Sequence, residues 1–304
     1  MKIVFMGTPD YATEILKEIL KSNIEVALLV TQMDKAVGRK QILTPPHIKK
    51  WVIENGLDIK ISQPKTLRNT DIQEEILSCK PDFIIVAAYG QILPKEILDI
   101  CPCINLHASI LPKYRGASPI QTAILKGEEL TGVTAMLMEE GLDSGDILSL
   151  RFVKAKGKRV DTLFGEISLA AAKLTIEVLE NYDSIKPIKQ FDAEATYCAK
   201  IRKNNGLFSF EQSALEIYQK YLAYTPWPGI FLQSGLKIKE IKVADAHTTN
   251  KETGIIDKIE ENSIVVTCKI GLLEVISVQA PSKKEIGSVE YLRGKRLEIG
   301  YKLV

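Results

Sequence analysis

Short apolar runs alternate with amphipathic stretches through the first half of the chain. The runs KIVFMG, IEVALLVTQ, DFIIVAAYG and CINLHAS predict β-strands, because each is a brief apolar segment bounded by polar or turn-forming residues. Apolar positions at helical spacing predict helices at residues 10–21, 45–55, 69–79 and 117–126. Strands that alternate with helices and lack a polar face indicate an α/β fold with a Rossmann-like, mostly parallel sheet covered on both sides.

The pattern changes in the second half. Residues 131–154 predict two strands around a loop that carries Asp143, and a long helix follows at 160–181. Periodicity then disappears, which predicts a first domain at 1–183 and a linker at 184–206. Residues 207–304 contain one helical stretch at 211–224 and several short β-rich runs, which favour a small OB-like β-barrel domain.

Composition adds few constraints. The 304 residues are 45% hydrophobic and 26% charged with a net charge of +2, as in ordinary globular proteins. The opening MKIVFMGTPD has no small-residue cleavage site and is too short to span a membrane, so we expect a cytoplasmic protein without membrane contact. The five cysteines lack CxxC spacing, so we expect no metal site. The absence of GxGxxG argues against a dinucleotide cofactor.

Asn105 and His107 are the first candidates for chemistry. In a strand at 103–108 their side chains lie on one face, because side chains alternate with period two. An amide can stabilise a developing oxyanion and an imidazole can move a proton near neutral pH. Asp143, on the loop after the next strand, can reach the same edge and orient the imidazole. No nucleophile motif accompanies them, which suits direct acyl transfer to an amine.

Spacing alone leaves structural roles open. Asn105 and His107 can be satisfied hydrogen-bonding residues at a strand end, and Asp143 lies in GLDSGD, which has the composition of a turn.

A long segment, NLHASILPKYRGASPIQTAILKGEELTGVTAMLMEEGLDSGDIL, resembles the formyltransferases that use 10-formyltetrahydrofolate. Further matching stretches cover nearly the whole chain: GTPDYA, TQMDKAVGR, AAYGQILP, DTLFGEISLAA, ATYCAKIRKNNGLF, TPWPG and YLRGKRLEIG. The resemblance implies that Asn105, His107 and Asp143 are catalytic and that the formyl donor is 10-formyltetrahydrofolate, with no metal. The folate-binding residues that it implies are Ser109, Ile110, Leu111 and Pro112 on one wall and Tyr89, Gly90, Gln91 and Ile92 on the other.

The resemblance also implies a partner, initiator methionyl-tRNA. We expect a monomeric enzyme. Lys35, Arg39 and Lys40 lie in the basic loop at 31–50 and are expected to contact phosphates of the acceptor stem. Gln41 and Ile42 depart from the family pattern, in which lysines are common here. The carboxyl-terminal domain offers a further basic set, namely Lys237, Lys239, Lys242, Lys283, Lys284, Arg293, Lys295 and Arg296.

Two other functions stay open. A formyltransferase acting on a small amine, such as an amino sugar nucleotide, would share the long segment but would not need the basic loop. A non-catalytic RNA-binding protein would use the barrel and would leave Asn105, His107 and Asp143 unexplained.

Overall fold

A computed structural model describes residues 1–38 and 40–303. Contacts along the chain group it into two compact units. The first unit comprises Met1–Pro119, Leu130–Lys154 and Phe164–Cys198, and the second comprises Ile120–Glu129, Ala155–Leu163 and Ala199–Val304. The predicted division into residues 1–183, a linker at 184–206 and residues 207–304 stays a prediction.

The first unit is built on a mostly parallel sheet. Its strands are β1 Lys2–Gly7, β2 Glu25–Val30, β3 Lys35–Val37, β4 Ile42–Thr44, β5 Ile61–Ser62, β6 Phe83–Ala87, β7 Cys103–His107, β8 Arg115–Gly116, β9 Leu130–Leu137, β10 Ile147–Lys154 and β11 Tyr197–Cys198. Seven of these form one sheet in the order β10-β9-β7-β6-β1-β2-β5. From β7 to β5 the strands are parallel, whereas β9 runs antiparallel to β7 and β10 antiparallel to β9. The predicted α/β fold with a mostly parallel sheet is confirmed.

The helices follow the amphipathic stretches. They are α1 Asp10–Ile19, α2 His47–Glu54, α3 Thr70–Ser78, α4 Lys95–Leu98, α5 Pro119–Leu125, α6 Val160–Asn181, α7 Ala214–Tyr224 and α8 Ser288–Lys295. Each helix predicted from periodicity is present, with ends within about three residues of the prediction. The short α4 and the weakly amphipathic α8 were missed, because four residues or a mostly polar surface give little periodic signal.

Burial explains the apolar strands. Every residue of β6 is buried, as are the last five residues of β1, because helices cover both faces of a parallel sheet. In α1, three residues at helical spacing are fully buried, namely Ile15, Leu16 and Ile19. Asp10 lies in the first turn, where its negative charge interacts favourably with the positive end of the helix dipole.

The second unit contains an antiparallel sheet. Its strands are β12 Ile230–Phe231, β13 Lys237–Thr249, β14 Ile256–Ile259, β15 Ile264–Thr267, β16 Ile270–Gln279 and β17 Ile286–Gly287. They follow the order β12-β13-β16-β15-β14, with β17 paired to β16. Helix α7 begins at a capping box in which Ser213 and Glu216 bond each other's backbone N–H groups. The antiparallel domain is confirmed, and its closure into an OB-like barrel stays a prediction.

In the part of the chain that the structure describes, no helix is both long enough and apolar enough to cross a membrane.

Candidate active site

The carboxyl-terminal half of β7 carries the two residues singled out above. Asn105 pairs with Val86 of parallel β6 and with Met136 of antiparallel β9, so the strand is held from both sides. His107 is buried and Asn105 is half-buried. Period-two alternation places both side chains on one face, as predicted.

Tyr11 anchors the same strand. Its hydroxyl donates a hydrogen bond to the carbonyl oxygen of Leu106, between the two site residues, at 3.0 Å. Burial raises the pKa of Tyr11, so the phenol stays protonated and remains a donor. Tyr11 lies in GTPDYA, a stretch that sequence reasoning used for the resemblance without assigning this contact.

Asp143 meets both residues. Its Oδ1 lies 3.3 Å from Nδ2 of Asn105, and its Oδ2 lies 3.7 Å from Nδ1 of His107. The backbone N–H of Gly116 donates to Oδ2 at 2.8 Å, which fixes the carboxylate from a third direction. The three residues named from sequence therefore converge. The loop from β9 must fold back to bring Asp143 there, because β9 runs antiparallel to β7.

The tautomer of His107 follows from its other contact. Nε2 lies 2.9 Å from the carbonyl oxygen of Tyr114. Because a carbonyl oxygen only accepts, Nε2 carries the proton and Nδ1 faces Asp143. The ring nitrogen that lies toward the Asp143 carboxylate is therefore Nδ1.

Arg115 and Gln190 support the loop that carries Asp143. The Gln190 side-chain amide donates to the carbonyl oxygens of Asp143 at 2.9 Å and Gly145 at 2.8 Å. Its Oε1 accepts from Nε and Nη2 of Arg115, at 3.0 and 2.8 Å. Arg115 is 3% exposed, and its Nη2 also donates to Asp192 at 2.8 Å.

Sequence reasoning did not assign these two roles. Arg115 lies within the long segment that carries the resemblance, which was a usable signal. Gln190 lies in the aperiodic stretch at 184–206, where no pattern marks it.

The first predicted folate wall follows β7. Ser109 and Leu111 are buried, whereas Ile110 and Pro112 are half-buried. The polar groups of the buried pair serve the fold: Thr134 Oγ1 donates to the carbonyl oxygen of Ser109 at 2.7 Å and accepts from the Leu111 N–H at 3.1 Å. The surface of this wall therefore comes from its half-buried members.

The second predicted wall follows β6, the neighbouring parallel strand. Tyr89 is 2% exposed, and burial raises its pKa to about 12. The side chain of Gln91 holds the preceding connection, since its Oε1 accepts from the Leu67 N–H at 3.2 Å and its Nε2 donates to the Pro64 carbonyl oxygen at 3.3 Å. Gly90 and Ile92 are exposed, Ile92 by 85%. The exposed part of this wall therefore consists of the Ile92 side chain and the Gly90 backbone, which follow the end of β6.

The basic loop contains a hairpin of β3 and β4. Lys35 and Lys40 are exposed on it, while Arg39 lies outside the described residues. Lys49 is committed elsewhere, because its ammonium group contacts Asp34 at 2.9 Å and Gln63 at 2.6 Å. Hydrogen bonds from Gln63 and Lys49 lower the pKa of Asp34, so this group of side chains stays paired.

Among the described residues, no three or more histidine, cysteine or acidic side chains gather as a metal site.

Comparison with protein families gives two matches. Residues 1–178 match the family described as formyl transferase. Residues 200–296 match the formyl transferase C-terminal domain.

Curated relatives match over the full length. The chain is 53% identical over 301 residues to a methionyl-tRNA formyltransferase from a Nitratiruptor species, with 99% of both chains covered. It is 53% identical over 298 residues to the enzyme of that name from Campylobacter lari, with 98% of both covered.

Solved structures share the fold at lower identity. An N-formyltransferase from Helicobacter canadensis, in complex with folinic acid and dTDP-3-aminofucose, is 18% identical with a TM-score of 0.67, covering 91% of this chain and 99% of that one. HypX from Aquifex aeolicus in complex with tetrahydrofolic acid is 18% identical with a TM-score of 0.63. That match covers 96% of this chain, which spans about half the length of HypX. A methionyl-tRNA formyltransferase from Clostridium thermocellum is 20% identical with a TM-score of 0.52, covering 89% and 98%.

Proposed function

Because the chain belongs to the formyl transferase family, we propose that it transfers a formyl group from 10-formyltetrahydrofolate to the α-amino group of initiator methionyl-tRNA. The product is N-formylmethionyl-tRNA. The observation that carries the proposal is the convergence of Asn105, His107 and Asp143 in a chain whose full-length relatives bear the name methionyl-tRNA formyltransferase.

The three side chains have complementary roles. The amide of Asn105 has two N–H groups, so it can keep its contact with Asp143 and donate to the oxyanion that develops when the amine attacks the formyl carbon. His107, protonated on Nδ1, is the second donor to that oxyanion. The Asp143 carboxylate lies 3.7 Å from Nδ1 of His107, beyond hydrogen-bond distance, and takes the proton from the attacking amine, directly or through water. As the tetrahedral intermediate collapses and the bond between the formyl carbon and N10 breaks, the proton taken by Asp143 passes to N10, directly or through water.

The two walls suit a folate donor, which supplies a formyl carbon carried on N10. Parallel pairing of β6 and β7 brings the connections that follow them to the same edge of the sheet. Ile92, Ile110 and Pro112 provide apolar surface for a flat ring, and the exposed backbone at Gly90 provides polar groups. Behind this surface lie the other residues of the two walls, namely Ser109, Leu111, Tyr89 and Gln91.

The acceptor assignment rests on the relatives and on the hairpin. Lys35 and Lys40 present exposed ammonium groups that can contact phosphates. Arg39 belongs to the same proposal by its place in the sequence. We further propose that the enzyme is cytoplasmic and monomeric.

The test is transfer of labelled formyl from 10-formyltetrahydrofolate to three acceptors: initiator methionyl-tRNA, elongator methionyl-tRNA and an amino sugar nucleotide. Asn105→Ala and Asp143→Ala are assayed beside Asn181→Ala, an exposed asparagine at the end of α6. We expect product on the initiator that falls about 100- to 1,000-fold in Asn105→Ala and is unchanged in Asn181→Ala.

Other outcomes overturn the proposal in distinct ways. Product only on the sugar nucleotide would make the small-amine function correct. Binding of transfer RNA without turnover would favour a non-catalytic RNA-binding protein. Wild-type turnover in Asn105→Ala would remove that residue from the mechanism.

A further inference from the structure

The loop that carries Asp143 is closed at its base, where the Leu137 N–H donates to the Asp146 carbonyl oxygen at 2.9 Å, and the Ser144 hydroxyl donates to Glu139 across it at 2.6 Å. Gly141 and Leu142 are exposed, and Asp143 has φ +49°, in the left-handed region. Aspartate adopts this conformation more readily than most non-glycine residues, at a cost of about 1 kcal/mol. Holding the exposed part of the loop in this one conformation requires contacts from outside it.

Gln190 meets that requirement. Its two N–H groups reach the carbonyl oxygens on either side of Ser144, those of Asp143 and Gly145. Its Oε1 takes both N–H groups that Arg115 directs to it. The amide is 6% exposed and its full hydrogen-bonding capacity is used, so its orientation is fixed by four bonds.

The segment 114–116 links Gln190 to the candidate site. Three consecutive residues, 114–116, each contribute one contact. The carbonyl oxygen of Tyr114 accepts from His107, and the side chain of Arg115 orients Gln190. The N–H of Gly116 donates to the Asp143 carboxylate. The carboxylate is thus held by Gly116, and the backbone beneath it by Gln190.

We propose that Gln190 is a positioning residue for formyl transfer, which fixes Asp143 against Asn105 and His107 without touching either substrate. This inference rests on the proposed function and assigns a role to a residue outside the three reacting groups. We call the two hydrogen bonds from Gln190 to the carbonyl oxygens of Asp143 and Gly145 the clamp. A catalytic group misplaced by about 1 Å costs on the order of 100-fold in rate, so loss of the clamp lowers kcat rather than substrate affinity.

Glutamate is the discriminating replacement. In Gln190→Glu one carboxylate oxygen can still accept from Arg115, but the other faces two carbonyl oxygens and has no N–H to donate. The side chain keeps its shape, loses both N–H donors and gains a negative charge that pairs with Arg115. Gln190→Met keeps similar length without polar groups, and Gln233→Glu makes the same chemical change at an exposed position.

The first measurement is steady-state kinetics on 10-formyltetrahydrofolate and initiator methionyl-tRNA, with thermal melts to establish folding. We expect kcat to fall about ten- to 100-fold in Gln190→Glu and Gln190→Met, with KM for the folate changed less than about threefold. Gln233→Glu should match the wild type. In an Asp143→Ala background, Gln190→Glu should cost little more, because it acts through the residue already removed.

The second measurement does not need activity. Hydrogen–deuterium exchange at residues 138–146 should be faster in both Gln190 variants and unchanged in Gln233→Glu. Unchanged exchange or unchanged kcat in both Gln190 variants would overturn the inference, as would a KM effect alone. If the wild-type chain transfers no formyl group, the proposed function fails, while exchange still decides whether Gln190 holds the loop.

Discussion

Replacing Asn105 by aspartate converts an attractive contact into a repulsive one. Nδ2 of Asn105 lies 3.3 Å from Oδ1 of Asp143, so the isosteric carboxylate would place two acceptor oxygens at that separation. Two unit charges 3.3 Å apart repel by about 5 kcal/mol at an effective dielectric constant of about 20. The Gly116 N–H and the His107 ring also face Asp143, so this value is an upper limit.

The repulsion is relieved when the introduced carboxyl group binds a proton. Since about 1.4 kcal/mol corresponds to one pKa unit, the pKa of that group in the folded protein rises by up to nearly 4 units, from about 4 to between about 7 and 8. A raised pKa in the folded state means that the protonated variant is fully stable below about pH 4. Stability is then lost as the pH rises through the folded value.

Urea denaturation between about pH 4 and 8 measures this effect. The reference is Asn105→Ala, which removes the amide without adding a charge. We expect the unfolding free energy of Asn105→Asp to fall relative to Asn105→Ala by up to about 1.4 kcal/mol per pH unit in this range. A difference that stays flat with pH would show that Asn105 and Asp143 do not face each other, and the reasoning about the site would fail with it.

Further predictions concern stability and binding. A Cβ added at Gly132 would lie 1.9 Å from the Arg151 carbonyl oxygen, so Gly132→Ala should lower the free energy of unfolding in urea by several kcal/mol. A Cβ at Gly165 would enter open space, so Gly165→Ala should raise the free energy of unfolding by about 0.5–1 kcal/mol. Equal values for the two variants would contradict this. The Tyr89 hydroxyl has no hydrogen-bond partner among the described residues, so Tyr89→Phe should be neutral or stabilising. Burial raises the pKa of Tyr89 to about 12, so the phenol ionises first in the unfolded chain and the wild type loses stability between about pH 10 and 12, a loss that the Phe variant should lack in alkaline melts. Lys40→Ala should weaken transfer-RNA binding and reduce the slope of log affinity against log salt by about 1; an unchanged slope would remove it from the interface.

The strands and the shared face of Asn105 and His107 could be predicted from local pattern, because burial on both sides leaves an apolar run and period two fixes orientation. The approach of Asp143 could only be guessed. It depends on a loop that returns against an antiparallel strand, and turn composition does not specify that path. Gln190 could not be predicted at all, because its role comes from contacts with residues more than forty positions away.

The hairpin of β3 and β4 shows a second limit. Its residues are exposed, so no buried face imposes an alternating pattern on the sequence. The basic composition of the loop was visible, but its secondary structure was not.

All the groups that meet around Asp143 belong to the first compact unit, including Gln190 and the tripeptide at 114–116. None is supplied by the antiparallel sheet of the second unit. The candidate site is in this sense contained within one unit, so substitutions confined to the antiparallel sheet remove none of these groups.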